Sequence, residues 1–278
     1  MGSAHRHPSQ YDRVGSKLRL HRWREAGLVV LLAIVYFATT KLGLGLARVH
    51  ANASPVWPPA GIALAACLLL GHRMWPAIAL GAFVANVTTA GSLATSAAIA
   101  AGNTLEGLLG AWLVRRHANG ANALQRPRDI FRFVALGSGL STLVSATVGV
   151  TSLTLGGFVQ GSAYAQVWST WWLGDAMGVL VVAPPLLLWG AGRAPMWRRL
   201  LSVEAACLGL GYILTGILVF RGVGVVNAPI GFFWIPVLVW TTYRFGQRAA
   251  ATAILGLSGI TVLGTLRVAL RSGGQPLC

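Results

Sequence analysis

The chain has 278 residues, of which 55% are hydrophobic and 10% charged, and its mean hydropathy is +0.66. A water-soluble domain carries about a quarter charged residues, so this composition excludes one: there is too little polar surface to cover it, whereas lipid accepts an apolar exterior. The net charge of +16 would suit nucleic acid, but the basic residues sit in short clusters between long apolar runs, which is the pattern of membrane topology rather than of a nucleic-acid interface.

Residues 1–25 read as a basic cytoplasmic tail carrying Arg6, Arg13, Lys17, Arg19, Arg22 and Arg24. The apolar stretch that follows is long and lacks a small-residue cleavage site, so it reads as a retained first span and not a signal peptide. A membrane helix needs about 20 largely apolar residues. The candidate spans are 26–47, 55–70, 75–90, 93–114, 131–155, 167–189, 202–220, 229–243 and 249–269. Residues 26–270 thus form an integral membrane domain, and 271–278 a short tail. The expected fold class is all-α, a polytopic transmembrane helix bundle of about nine spans, between eight and ten. Prolines such as Pro58, Pro59, Pro76 and Pro127 mark span starts, and Trp75, Trp112, Trp189 and Trp240 read as interfacial anchors. Cys67 and Cys207 lie in apolar runs, and with no C-x-x-C spacing they read as small buried apolar residues.

Counting arginines gives the bundle a direction. With the N-terminus inside, the inner segments carry Arg73, then Arg115, Arg116, Arg126, Arg128 and Arg132, then Arg193, Arg198 and Arg199, then Arg244 and Arg248. The outer segments carry Arg48 and Arg221, and 156–166 carries no charge. The expected location is a bacterial inner membrane, multi-pass, with a cytoplasmic N-terminus. Nine spans would place Arg267 and Arg271 outside, so the pattern predicts either a further span or a last segment that does not fully cross.

Six acids are present, and two of them stand in mid-span: Glu106 in AAGNTLEGLLG and Asp175 in WSTWWLGDAMG. A charge in a bilayer costs at least a few kcal/mol, so such residues face the bundle interior, pair, or bind a proton. Asn103 stands one helical turn before Glu106 and shares its face. Lys41 is the only lysine in the core region, near the outer end of the first span, and Asn86 ends the third. These residues define a candidate site for a small ligand, a cation or proton activity; the competing reading is a structural polar network that locks helix packing. The run STLVSATVGVTSLT (141–154) is expected to bond most of its hydroxyls to its own helix carbonyls. There is no phosphate-binding loop, zinc H-E-x-x-H or nucleophile elbow, and the six histidines have no metal-ligand spacing, so no enzyme activity, cofactor or metal is expected.

The strings ASPVWPPAGIALA (53–65), WPAIALGAFVAN (75–86), GNTLEGLLGAWLVRR (102–116), STLVSATVGVTSL (141–153) and WWLGDAMGVLVVAPPLLLW (171–189) occur in that order. Together with PIGFFWIPVLVWTTYRFG (229–246), they resemble the bacterial membrane-associated sensor domain of the first type, from about residue 28 to about 266. The resemblance implies an integral membrane input module for an output histidine kinase, or for a diguanylate cyclase or phosphodiesterase of cyclic di-GMP signalling. Trp57, Pro58, Pro59, Gly61, Asn86, Asn103, Glu106, Trp172, Gly174 and Asp175 match the family motifs. With Lys41, the ligand-binding candidates are Trp57, Asn86, Asn103, Glu106, Trp172 and Asp175. Expected partners are the lipid bilayer, an output domain or partner membrane protein, and a second copy in a homodimer. Family members continue through a tenth span, so this chain is expected to be truncated or to act through a partner. A transporter with a midplane polar site, and a scaffold docking a membrane protein, are the competing functions.

Overall fold

The computed structural model describes residues 10–49, 56–89, 92–191, 204, 208–214 and 234–271. Among these residues the secondary structure is entirely helical, as the composition predicts. The main helices are α1 (Gln10–Val49), α2 (Pro58–Leu70), α3 (Trp75–Val87), α4 (Leu93–His117), α5 (Pro127–Arg132), α6 (Thr142–Leu155), α7 (Tyr164–Gly190) and α8 (Trp234–Arg271). A π-helical stretch, Phe133–Leu140, joins α5 to α6. Four stretches are long and apolar enough to cross a membrane: Arg24–Leu44, Leu93–His117, Pro127–Leu155 and Gly161–Gly190.

Two differences from the expected spans stand out. The helix of the first span starts at Gln10, so much of the predicted tail is helical. The predicted eighth and ninth spans form one helical run, α8, broken at Gly246, where φ is 81° and ψ 179°. Most of the seventh span falls outside the described residues, although 208–214 are helical and Glu204 accepts bonds from Arg244 Nε at 2.7 and 2.8 Å.

Local sequence explains the helix ends. Prolines stand in the first turn of α2, α3 and α5, where a missing N–H costs nothing. Ser92 caps α4, its Oγ accepting from Thr95 N at 3.1 Å. Between α2 and α3 the chain turns at Gly71, with φ 101° and ψ 168°, a region essentially closed to side-chain-bearing residues. No atom lies within 4 Å of a Cβ built there, so Gly71→Ala is expected to cost about 1–3 kcal/mol through backbone strain alone, measurable as a lower melting temperature in micelles. Beside this turn Arg115 of α4 donates from Nη2 to the carbonyls of Cys67 and Leu68, closing the open end of α2. Arg115→Ala is expected to destabilise by about 1–2 kcal/mol in the same assay.

Contacts fix the helix directions. Glu25 pairs with Arg73 at 3.1 Å, and Lys41 bonds Thr89 at 2.7 Å, so α1 and α3 run parallel. Trp57 meets Gly174 and Leu69 meets Gly190, so α2 and α7 run parallel as well. Gly110 meets Ser141 and Gly102 meets Val148, so α4 and α6 are antiparallel. The successive helices therefore alternate, which gathers Arg73, Arg115, Arg116, Arg126, Arg128 and Arg132 at one end of the bundle. At that end Arg132 Nη1 donates to the His117 carbonyl at 2.8 Å.

α2 occupies the middle. It is buried without a break from Pro59 to Leu68, which is why its 13 residues show no amphipathic pattern. Its neighbours come close through small residues. A Cβ on Gly178 would collide with the Trp57 carbonyl, and one on Gly61 with the Gly178 carbonyl. In lipid there is little hydrophobic force between helices, so such close backbone approach supplies much of the packing energy.

Candidate functional site

The two mid-span acids meet. Glu106 of α4 is 4% exposed and Asp175 of α7 is 1% exposed, and their carboxyl groups adjoin. Around them stand Asn103 of α4, Ser145 of α6, Trp171 of α7 and Tyr36 of α1. The Ser145 hydroxyl is the hub: it donates to Asn103 Oδ1 at 2.7 Å, accepts from Trp171 Nε1 at 3.2 Å, and lies against both carboxyls. The Tyr36 phenol, 1% exposed, lies beside Asn103 and within electrostatic reach of both acids. One oxygen of each carboxyl, Glu106 Oε1 and Asp175 Oδ2, is buried with no hydrogen-bond partner. The ion pairs among the described residues, Glu25–Arg73 and Glu204–Arg244, both lie elsewhere.

Helix register explains the meeting. Asn103 and Glu106 are three residues apart on α4, so both project toward α6 and α7. On α6, Ser145 lies one turn from Gly149, whose missing side chain admits the Trp171 ring; a Cβ there would stand 2.9 Å from it. The backbone around Asp175 is held from several sides. Trp57 N donates to the Gly174 carbonyl at 2.9 Å, and Ser138 Oγ to the Ala176 carbonyl at 3.0 Å. Trp172 Nε1 donates to the Gly139 carbonyl at 3.0 Å and stacks on Trp168 with ring centroids 6.0 Å apart. Ser138 and Gly139 belong to the π-helical stretch, where the wider i→i+5 pattern turns backbone groups toward neighbours.

Of the residues expected at the site, Asn103, Glu106 and Asp175 come together, while Trp57 and Trp172 brace the α7 backbone beside Asp175. Lys41 and Asn86 take other partners. The Lys41 ammonium bonds Thr89 Oγ1 and lies 5.8 Å from the Phe37 ring centroid, and Asn86 Nδ2 bonds the Ala82 carbonyl of its own helix at 2.8 Å. Tyr36, Ser145 and Trp171 were not among the expected residues. Ser141, Thr142, Ser152 and Thr154 do bond carbonyls of their own helix, as the hydroxyl run predicts. Ser145 does not, and Thr147 and Thr151 also look outward, to Trp168 and Tyr164. A hydroxyl seven residues from Ser138 and four from Ser141 on a shared face was the available signal.

A strongly apolar helix bundle with a sealed carboxyl pair at its centre defines a membrane-associated protein with an internal polar site. The chain belongs to the MASE1 family, a membrane-associated sensor domain found with diguanylate cyclases, which matches residues 28–276. It is similar to a probable diguanylate cyclase, DgcE, of Escherichia coli (strain K12), at 29% identity over 227 residues. That match covers 80% of this chain and 20% of the relative, so the chain spans about a fifth of the length of that protein. No solved structure matches the chain.

Proposed function

We propose that this MASE1 sensory input domain receives its cue at the Glu106–Asp175 centre and passes it to a cytoplasmic output, a diguanylate cyclase or a histidine kinase. The carrying observation is that the polar centre joins four helices, α1, α4, α6 and α7, around two buried carboxyls. A change of charge or occupancy there alters which helix contacts are favourable, and differential stability of two packings is what a signal requires. The alternating directions and the clustering of arginines at one end support a multi-pass arrangement in a bacterial inner membrane with the N-terminus inside.

The test is a fusion of this chain to a diguanylate cyclase catalytic domain, with cyclic di-GMP measured in cells. Glu106→Gln and Asp175→Asn, which keep shape and remove charge, are expected to hold output at one level, about tenfold from wild type if the two states differ by about 1.4 kcal/mol. Output identical to wild type in both variants, at equal membrane abundance, would refute the proposal. Solute flux in proteoliposomes that both variants abolish would point to transport instead.

A further inference from the structure

Deepening that reading of the site, we infer that the Glu106–Asp175 pair is a site for one small exchangeable cation, held as a proton shared between the two carboxyls or as a dehydrated alkali-metal ion in its place.

Two adjoining carboxylates, each at least nineteen-twentieths buried, repel one another with no water to screen them. Neither forms an ion pair with a lysine or arginine among the described residues. From α1 the pair is faced by Tyr36, from α4 by Asn103, from α6 by Ser145 and from α7 by Trp171. Of these four only Tyr36 can titrate, and its loss of a proton would add negative charge. The compensating charge therefore comes from outside the side-chain set.

A second observation says where it sits. Glu106 Oε1 and Asp175 Oδ2 are buried and without a hydrogen-bond partner. A buried acceptor left unpaired costs about 1–3 kcal/mol, and more when charged. The nearby neutral donors are already engaged, Ser145 Oγ to Asn103 Oδ1 and Trp171 Nε1 to Ser145 Oγ, so what the two carboxyl oxygens lack is a proton or a positive group. Two free oxygens suit a bridging proton, or an alkali-metal ion that also draws on the hydroxyl and amide oxygens nearby. Uptake of the cation removes the repulsion between α4 and α7, and its release restores it, so occupancy acts directly on the contact between these helices.

The experiment uses the full chain in lipid nanodiscs, by infrared difference spectroscopy and thermal unfolding, across pH in choline chloride, sodium chloride or potassium chloride. A shared proton predicts a protonated-carboxyl band that is lost on raising pH at any salt, and lost in Glu106→Gln and Asp175→Asn. An alkali-metal ion predicts that the same band gives way to carboxylate bands when sodium or potassium replaces choline at fixed pH, with a rise in melting temperature. Either result supports the inference. Wild-type spectra and melting temperatures that respond to neither pH nor cation overturn it, and this needs no variant to fold. Failure here, with cyclic di-GMP output still altered by the two variants, leaves the site a sensor of an uncharged cue. Failure of the variants to alter output, with the band present, removes the sensing role and keeps the cation.

Discussion

Gly178→Leu is expected to abolish the folded bundle. The Gly178 position faces the Trp57 carbonyl, and even a methyl group there would overlap backbone atoms that cannot move aside as a flexible side chain would. Gly61 presses on the same point from α2, so the two glycines form one close approach between the parallel helices α2 and α7. Overpacking a core typically costs about 1–3 kcal/mol, and a clash with backbone lies at or beyond that upper end. Separation of α2 from α7 also breaks the bond from Trp57 N to the Gly174 carbonyl. The measurement is the yield of monodisperse protein in mild detergent with its melting temperature. Gly209→Leu, at a position with nothing within 4 Å, serves as control and is expected to behave as wild type. Equal stability of both variants would show that the α2–α7 contact is not the packing element described.

Ser145→Ala is expected to have the second-largest effect for its size. The substitution removes a single oxygen and leaves no clash. It strands Asn103 Oδ1 and Trp171 Nε1 and withdraws the hydroxyl beside both carboxyls. Each buried polar group left unpaired costs about 1–3 kcal/mol, so a loss of about 2–4 kcal/mol is expected, partly relieved if Trp171 turns toward Asp175. Ser145→Thr keeps the hydroxyl and is expected to recover part of the loss. Double substitution with Asn103→Ala separates the pair from its surroundings: strong non-additivity is expected, because both residues serve one network. Additive losses would mean that Ser145 and Asn103 act independently, and the hub would dissolve.

These predictions rest on features that differ in how visible they were along the chain. The helical class, and the presence of two mid-span acids, follow from composition and local runs, because a bilayer admits few backbone solutions and makes each intramembrane charge conspicuous. The pairing of Asn103 with Glu106 on one face was legible from a three-residue spacing. Lys41 shows the limit of such reading. As a lone intramembrane lysine it invites pairing with the acids, yet its place near one end of α1 brings it to Thr89. A long side chain at a helix end satisfies itself locally, and one-dimensional distance from the acids gives no warning of it.

Read along the chain alone, residues and motifs already show an apolar helix bundle, arginines that gather at one end, two acids, Glu106 and Asp175, that need internal partners, and the ordered motifs of a membrane-associated sensor domain. All of these depend on local composition, helical periodicity or motif order. Packing in three dimensions makes the two acids partners of each other, brings Tyr36, Ser145 and Trp171 around them, and sets α2 at the centre. Such facts depend on which helices run parallel and on close approach at Gly61, Gly149 and Gly178, where the absence of a side chain sets the register between helices. Contacts separated by 42 residues, as between Asn103 and Ser145, are fixed by that packing and leave no periodic trace in the chain.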